Sequence, residues 1–525
     1  MKVLVSDSLS PRGIEILKTA GLDVDVQTGM SPEELKASIG GYHGLIIRSA
    51  TKVTSEILER ATNLKVIGRA GSGLDNVDRV SATKRGIVVM NTPGGNTITT
   101  AEHTIALMFA LARQIPQAMA SMKAGEWEKK RFMGVELYNK TIGIIGIGNI
   151  GKQVAKRALA LEMNVIGYDP YLSDENANEM GIEKVELPAL FSRSDFITIH
   201  TPITTDTRNL INQKTMQGMK KGVRIINCAR GGIINENDLY AALKSGMVAG
   251  AALDVFEKEP PGDNPLLTLD NVICTPHLGA ATQEAQENVA IAVAEQVADY
   301  LMNGVIRHAV NFPSVPAEQV SRLQPYLTIA EKLGSFASQV FEGAVTEMTI
   351  EYRGEASELN TAPVTIALLK GFLTPILEET VNFVNAPIIA KERGIEVREM
   401  KSDDAGDYQS TIVLRLKADG KENHLIGTLF SRKDPRIIQI NDFPVEIFPE
   451  GNMLFIYNND RPGVIGNIGS FLGKCHINIA RMHFGREMAG GMAISVVSID
   501  SPVTQEQMEE LRKLPNILSL KVVVL

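Results

Sequence analysis

Short apolar runs alternate with helix-period segments from the start of the chain. Residues 2–6, 24–27, 44–47 and 65–68 read as strands, with helices between them at 11–20, 32–38 and 55–61. Strands separated by helices of this length imply a parallel sheet with crossover connections. Residues 100–113 read as a long, strongly apolar helix, of the kind that is buried rather than exposed.

The alternation restarts at 141–145 and continues through 164–168, 196–200, 224–227, 249–253 and 272–275. These runs are short and apolar, as in strands buried on both faces, and they predict a second parallel sheet. Residues 283–302 read as a helix with apolar positions at Val289, Val293 and Val297, leading back to a strand-like stretch at 309–312. Pro313 and Pro316 mark a boundary, after which the pattern changes and motifs stop until about residue 450. From Gly451 the order is β-α-β-β-α-β, with strands at 453–457, 478–484, 492–499 and 518–525 and helices at 463–474 and 505–511. That order is the ferredoxin-like arrangement.

At roughly 150 residues per domain, 525 residues give three to four domains. The 44% hydrophobic and 22% charged content is that of an ordinary globular protein. With 53 basic and 61 acidic residues the net charge is -8, which argues against a nucleic-acid or anionic-membrane binder. An anionic small molecule would have to be met by a few local arginines. The scattered Cys228, Cys274 and Cys475 suit neither a disulfide framework nor zinc, and fit a reducing cytosol. Asp7 interrupts the N-terminal apolar run before a signal-peptide core could form, and the longest clean apolar run, 105–112, is far short of a membrane span. A cytoplasmic protein is therefore expected. No metal-ligand spacing occurs, so no metal is expected, and His103 and His200 read as structural.

Gly146, Gly148 and Gly151 form G-x-G-x-x-G directly after a strand and at the start of a helix. The first glycine permits the tight turn, the second lets a pyrophosphate approach the backbone, and the third lets the helix pack on the sheet. The helix N-terminus then offers free N–H groups to the phosphates. Asp169 ends the next strand, where a carboxylate accepts from ribose hydroxyls and repels a 2′-phosphate, favouring NAD over NADP. The loop alone leaves a dehydrogenase, an NADH-sensing co-repressor and a regulatory subunit open. A catalytic acid/base discriminates. His277 suits a base that takes a hydroxyl proton, since imidazole titrates near neutrality. Glu259 suits its orienting partner, and Arg230 suits a bidentate clamp for a substrate carboxylate.

The loop and the segments around Arg230 (N-C-A-R-G-G), Glu259 (D-V-F-x-x-E-P) and His277 (P-H-x-G) resemble the D-isomer-specific 2-hydroxyacid dehydrogenase family over residues 1 to about 310. The resemblance implies that the first β/α domain holds substrate and the second holds NAD, with a hinge at crossings near 97 and 287. It implies catalysis by Arg230, Glu259 and His277. It also implies cofactor contacts from Asn149, Ile150, Thr201, Cys228, Ala229, Asp254 and Gly279 beside the glycine loop and Asp169. Substrate contacts map to Ser72, Gly73 and Arg230. Arg48, at the end of a strand facing the same cleft, is the candidate cation for a phosphate, with Lys129, Lys130 and Arg131 as weaker ones.

The C-terminal unit resembles an ACT domain, an amino-acid sensor with D-x-P-G after its first strand, here Asp460 to Gly463. The resemblance implies effector binding by Asn458, Asp460 and Asn478 across a dimer interface. Some bacterial relatives of this module carry His where this chain has Asn458. Together these features resemble the long form of the family that acts on 3-phospho-D-glycerate, with L-serine as effector. They imply a homodimer or homotetramer that needs neither nucleic acid nor membrane. The competing readings are a glyoxylate or hydroxypyruvate reductase and a non-catalytic NAD-sensing regulator. The expected architecture is α/β with two Rossmann-like doubly wound domains: a split substrate domain at 1–97 and 288–312, and an NAD domain at 98–287. An intervening α/β domain at 313–450 and a ferredoxin-like ACT domain at 451–525 complete it.

Overall fold

The computed structural model describes residues 1–313, 317–377 and 381–525; Pro316, one of the two expected boundary prolines, lies outside them. Strands β1 Lys2–Val5, β2 Asp23–Val26, β3 Gly44–Ile47, β4 Val66–Arg69 and β5 Val88–Asn91 form an all-parallel sheet, in the order β2-β1-β3-β4-β5. A second all-parallel sheet contains β6 Thr141–Ile145, β7 Asn164–Tyr168, β8 Glu183–Lys184, β9 Phe196–Ile199, β10 Val223–Asn227, β11 Val248–Leu253 and β12 Val272–Cys274. Its order is β12-β11-β10-β9-β6-β7-β8. Strands such as β3 and β9 are buried at every position, which is why they read as unbroken apolar runs. In both sheets the strand order reverses beside the first strand, and ligands of such sheets sit at the C-terminal strand ends near that point.

Two helices cross between the lobes. Helix Thr97–Arg113 leaves the first sheet and packs Ala101, Leu107, Met108 and Leu111 into the core around β6. Helix Gln283–Asn303 returns, and its valines 289, 293 and 297 join the core of the first sheet.

Three features depart from the pattern-based expectation. The strand expected at 309–312 is a single bridge between Ala309 and Met90; Asn311 turns its side chain onto the Val89 amide at 2.9 Å. The first sheet has a fifth strand, β5, which the alternation did not separate from the turn-rich stretch around it. And the segment without motifs contains a complete sheet.

That sheet contains β13 Val345–Gly354, β14 Glu396–Ser402, β15 Ser410–Ala418, β16 Lys421–Phe430, β17 Asp434–Ile440 and β18 Phe443–Ile447, in the order β14-β13-β15-β16-β17-β18. Only β13 and β14 pair in parallel. Helices Ala317–Val340 and Ala362–Leu373 pack with it, pressed together at two glycines. A Cβ on Gly334 would lie 2.1 Å from the Leu368 carbonyl oxygen, and one on Gly371 would lie 2.0 Å from that of Glu331.

The last sheet, β19 Asn452–Asn459, β20 Ile479–Arg486, β21 Met492–Ile499 and β22 Ile517–Val524, is antiparallel in the ferredoxin-like order β20-β21-β19-β22. One face packs on its own helices, Val464–Lys474 and Gln505–Arg512. Phe455, Ile494, Val496 and Val523 on the other face enter the core of the preceding sheet, where Phe455 meets Phe336 edge-on at 5.9 Å. The last two sheets therefore share one core. This double unit docks on the first lobe: Asn382 donates to the Gly86 carbonyl at 2.9 Å, Lys84 pairs with Glu392 at 2.8 Å, and Phe383 meets Phe312 edge-on at 6.3 Å.

Candidate active site

β6 ends at Ile145 and the chain turns on Gly146, whose φ of +93° is open to glycine and disfavoured for other residues. Gly148 has nothing within 4 Å of where a Cβ would stand, and it begins helix Asn149–Ala160 without a side-chain cap. The first turn therefore presents bare N–H groups and the positive end of the helix dipole to open space. Gly151 is closed in instead, since a Cβ there would lie 2.0 Å from the Gly146 carbonyl oxygen. Asp169 follows β7 and accepts from the amides of Ile147 and Tyr171, both at 2.9 Å. Each carboxylate oxygen keeps a further lone pair for a ribose hydroxyl. An uncapped, open turn beside an oriented carboxylate fits a dinucleotide.

Beside this loop, between the two lobes, lies a cleft of about 1550 Å³. His277 stands on its wall in a left-handed backbone conformation, φ +55°. Its Nδ1 meets Glu259 Oε2 at 2.8 Å. The Glu259 bond raises the His277 pKa above its ordinary 6.5, against an opposing push from burial. Burial pushes Glu259 upward, but the bond from His277 and the Phe256 amide hold it below the usual carboxylate value. The pair thus favours an imidazolium whose Nδ1–H is fixed on the carboxylate, and Nε2 is the nitrogen left for the cleft.

The turn carrying His277 is braced by Asp254. Its carboxylate accepts from the amides of Leu278 at 2.7 Å and Gly279 at 2.8 Å and from the Thr275 hydroxyl at 2.6 Å. His103 on the crossing helix reaches the same carboxylate at 3.3 Å. Burial works against the charge on Asp254, but these bonds outweigh it and lower its pKa.

Across the cleft, Arg230 donates from Nε to Asp75 at 3.0 Å and from Nη1 to the Ala229 carbonyl at 2.7 Å. Arg48 and Arg69 line the same cleft at the ends of β3 and β4. Arg69 Nε is buried without a partner, and burial together with the Arg230 charge lowers the Arg69 pKa. Three guanidinium groups thus converge on a space faced by His277.

Residues 105–279 match the D-isomer specific 2-hydroxyacid dehydrogenase, NAD binding domain, and residues 322–441 match the D-3-phosphoglycerate dehydrogenase intervening domain. The D-3-phosphoglycerate dehydrogenase of Archaeoglobus fulgidus is 47% identical over 99% of this chain and 99% of its own. That of Methanocaldococcus jannaschii is 46% identical over 100% of this chain and 99% of its own. The chain belongs to the D-3-phosphoglycerate dehydrogenase family. It is a family enzyme with an NAD-binding Rossmann domain. Among solved structures, the D-lactate dehydrogenase of Aquifex aeolicus complexed with NAD and lactic acid matches 60% of this chain and all of its own, at 27% identity and a TM-score of 0.54. A glyoxylate reductase from Paecilomyes thermophila matches 59% of this chain and 98% of its own, at 29% identity and a TM-score of 0.55.

Within this dehydrogenase the structure brings Arg48, Ser72, Gly73, Ile150, Thr201, Cys228, Ala229, Arg230, Asp254, Glu259, His277 and Gly279 to one cleft. Gly146, Gly148, Asn149, Gly151 and Asp169 make the adjoining turn. Lys129, Lys130 and Arg131 are not among the cleft-lining residues; Lys129 lies over the Trp127 ring and Arg131 pairs with Glu128. His200, read as structural, lies on the cleft wall with Nδ1 buried and unpaired, and burial drives its pKa down to about 3. Thr201 Oγ1 beside it is also buried without a partner.

Arg69 is a cleft residue that the motifs do not single out, although the rule that picked Arg48, a cation at a strand's C-terminal end, would have found it. In the last sheet each candidate effector residue is engaged separately. Asn458 is buried on Ser495, Asp460 accepts from Arg486 and the Gly490 amide, and Asn478 donates to Asp500. No hydrogen bond links the three to one another among the described residues.

Proposed function

We propose that this protein oxidises 3-phospho-D-glycerate to 3-phosphooxypyruvate with NAD, the first step of L-serine synthesis. The observation that carries the reading is the half-buried Arg69, its Nε buried without a partner, set with Arg48 and Arg230 around a cleft that faces the His277–Glu259 pair. Three cations suit a substrate with a carboxylate at one end and a phosphate at the other. Full-length relatives that carry the phosphoglycerate dehydrogenase name support it.

In this reading the amides of the Gly146–Gly151 turn hold the pyrophosphate and Asp169 holds the adenosine ribose. Bound NAD supplies the two-electron acceptor for the hydrogen on the reacting carbon. Arg230, with the amides of Ser72 and Gly73, holds the substrate carboxylate, and Arg48 and Arg69 hold the phosphate. His277 Nε2 takes the hydroxyl proton as the carbonyl forms, and Glu259 stabilises the resulting imidazolium at Nδ1. In reduction the same proton returns to the alkoxide oxygen.

The reading extends to a cytoplasmic homodimer or homotetramer inhibited by L-serine bound near Asn458, Asp460 and Asn478. Among the described residues no helix is long and apolar enough to cross a membrane.

The test is NADH formation with 3-phospho-D-glycerate against D-glycerate and D-lactate, with product removed. The expected result is a preference of about a hundredfold or more in kcat/KM for the phosphorylated acid, as paired charges in a cleft confer. Equal turnover of the unphosphorylated acids would overturn the substrate assignment. L-serine should inhibit the same reaction, and unchanged rates at saturating serine would remove the effector assignment alone.

A further inference from the structure

The loop that carries Arg48 is held in place by two side chains that do not line the cleft. Asp7, which follows β1 and is only 7% exposed, receives the amides of Arg48 and Thr51 and the Thr51 hydroxyl, the last at 2.8 Å. Ser6 adds a hydroxyl contact to Thr51 at 2.9 Å. From the opposite side, Asn76 uses one Nδ2 to donate to the carbonyls of Arg48 at 2.7 Å and Thr51 at 2.6 Å. One residue therefore takes the loop's N–H groups and the other takes its C=O groups. A backbone that leaves a strand must satisfy these groups somewhere, and here two side chains from separate loops do so. The Arg48 guanidinium has no carboxylate within ion-pair distance among the described residues; its one bond is to the Ser8 carbonyl at 3.3 Å. The base of this arginine is thus fixed while its head stays available.

We propose that Asp7 and Asn76 are positioning residues that set the selectivity of this cleft for a phosphorylated over an unphosphorylated 2-hydroxy acid, by fixing the loop from which Arg48 reaches the phosphate. The inference rests on the assignment of Arg48 to the phosphate. A cation preorganised on a braced loop binds without ordering cost, whereas one on a slack loop must be ordered by the ligand. The His277 pair belongs to another segment. Asn76 shares its loop with Ser72, Gly73 and Asp75, but its side chain bonds the Arg48 and Thr51 carbonyls, so truncating it should slacken the Arg48 loop and affect the phosphate end.

The experiment uses the full-length enzyme with Asn76→Ala, Thr51→Val, Arg48→Ala and the double variant Asn76→Ala/Arg48→Ala. KM and kcat are measured for 3-phospho-D-glycerate, D-glycerate and NAD. Asn76→Ala should raise KM for the phosphorylated acid by about tenfold, with kcat and the NAD KM within about twofold, as loss of ground-state positioning predicts. The kcat/KM for D-glycerate should stay within about twofold. Thr51→Val should act in the same direction more weakly, and it serves as the test should Asn76→Ala fail to fold. In the Arg48→Ala background, Asn76→Ala should add less than about twofold, because the two act as one unit.

Equal losses for both acids, or full additivity in the double variant, would overturn the positioning role. If instead Arg48→Ala itself left the preference for the phosphorylated acid unchanged, the assignment of Arg48 would fall, and with it the ground for this inference.

Discussion

His277 is set up for proton transfer by one bond and one turn. The Glu259 bond raises its pKa above 6.5, and Asp254 holds the turn through the amides of Leu278 and Gly279. For oxidation the imidazole must be neutral, so kcat/KM should fall as pH drops through that raised value; for reduction it must be protonated, and the loss should come on the alkaline side. Glu259→Gln removes the charge that raises it, while burial and Arg230 continue to lower it. The acid limb of the oxidation profile should therefore move to lower pH, together with a fall in turnover. A profile that overlays the parent enzyme would show that Glu259 does not govern the base. His277→Ala should reduce turnover by about two to four orders of magnitude with NAD binding retained, and a near-parent kcat would remove His277 from the mechanism. At this scale Arg230, Glu259 and His277 were legible because each stands in a motif with fixed neighbours. Arg69 stands outside those motifs; its place at the end of β4 could have been read from sequence, but its unpaired buried nitrogen shows only in three dimensions. The bracing work of Asp254 was hidden likewise, since it joins residues 103, 254 and 275–279.

The glycine turn shows how one element can contain two kinds of constraint. Gly148 faces open space and Gly151 faces the Gly146 carbonyl. Gly148→Ala should leave the melting temperature within about a degree or two, because exposed substitutions away from packed features change little. It should nonetheless weaken NAD binding by about tenfold or more, since the phosphates need that space. Gly151→Ala should lower the melting temperature as well, because the helix has to move off the turn. Calorimetry together with NAD titration of both variants checks the contrast; similar thermal losses for the two would mean that Gly148 is a packing residue. Elements buried on both faces, such as β3 and β9, were plain in the sequence. β13 and β14 were not. They carry Glu347, Glu351, Arg353, Glu396 and Arg398 in cross-strand and neighbouring ion pairs, so their polar face interrupts the apolar run that marked the parallel strands. The stretch at 309–312 has the composition of a strand, but Asn311 satisfies the edge of β5 with its side chain and the ladder ends after one bridge.

At the scale of the whole molecule, the residues that line the cleft all precede residue 311, while the chain continues for two further sheets with a common core. The solved D-lactate dehydrogenase aligns over its full length with 60% of this chain, so a protein of that extent has the two-lobed fold on its own. Residues after 312 nevertheless contribute to the first lobe. Val384 is buried in the same core as Val3, Ile46 and Val66, and burying such a side chain is worth about 1.5–3 kcal/mol. Asn382 adds its bond to Gly86, where the positive φ and the close approach leave no room for a side chain. A fragment ending at Phe312 should therefore fold, bind NAD and form NADH with kcat within about tenfold of the parent, since loss of a remote brace disturbs positioning rather than chemistry. Its melting temperature should be lower and its response to L-serine absent. Asn382→Ala in the full chain should reproduce part of the thermal loss without the loss of serine response. A folded fragment with no turnover would mean that the C-terminal double unit holds the substrate lobe in its working position, and the docking at Gly86 would then be part of the catalytic apparatus rather than an attachment point.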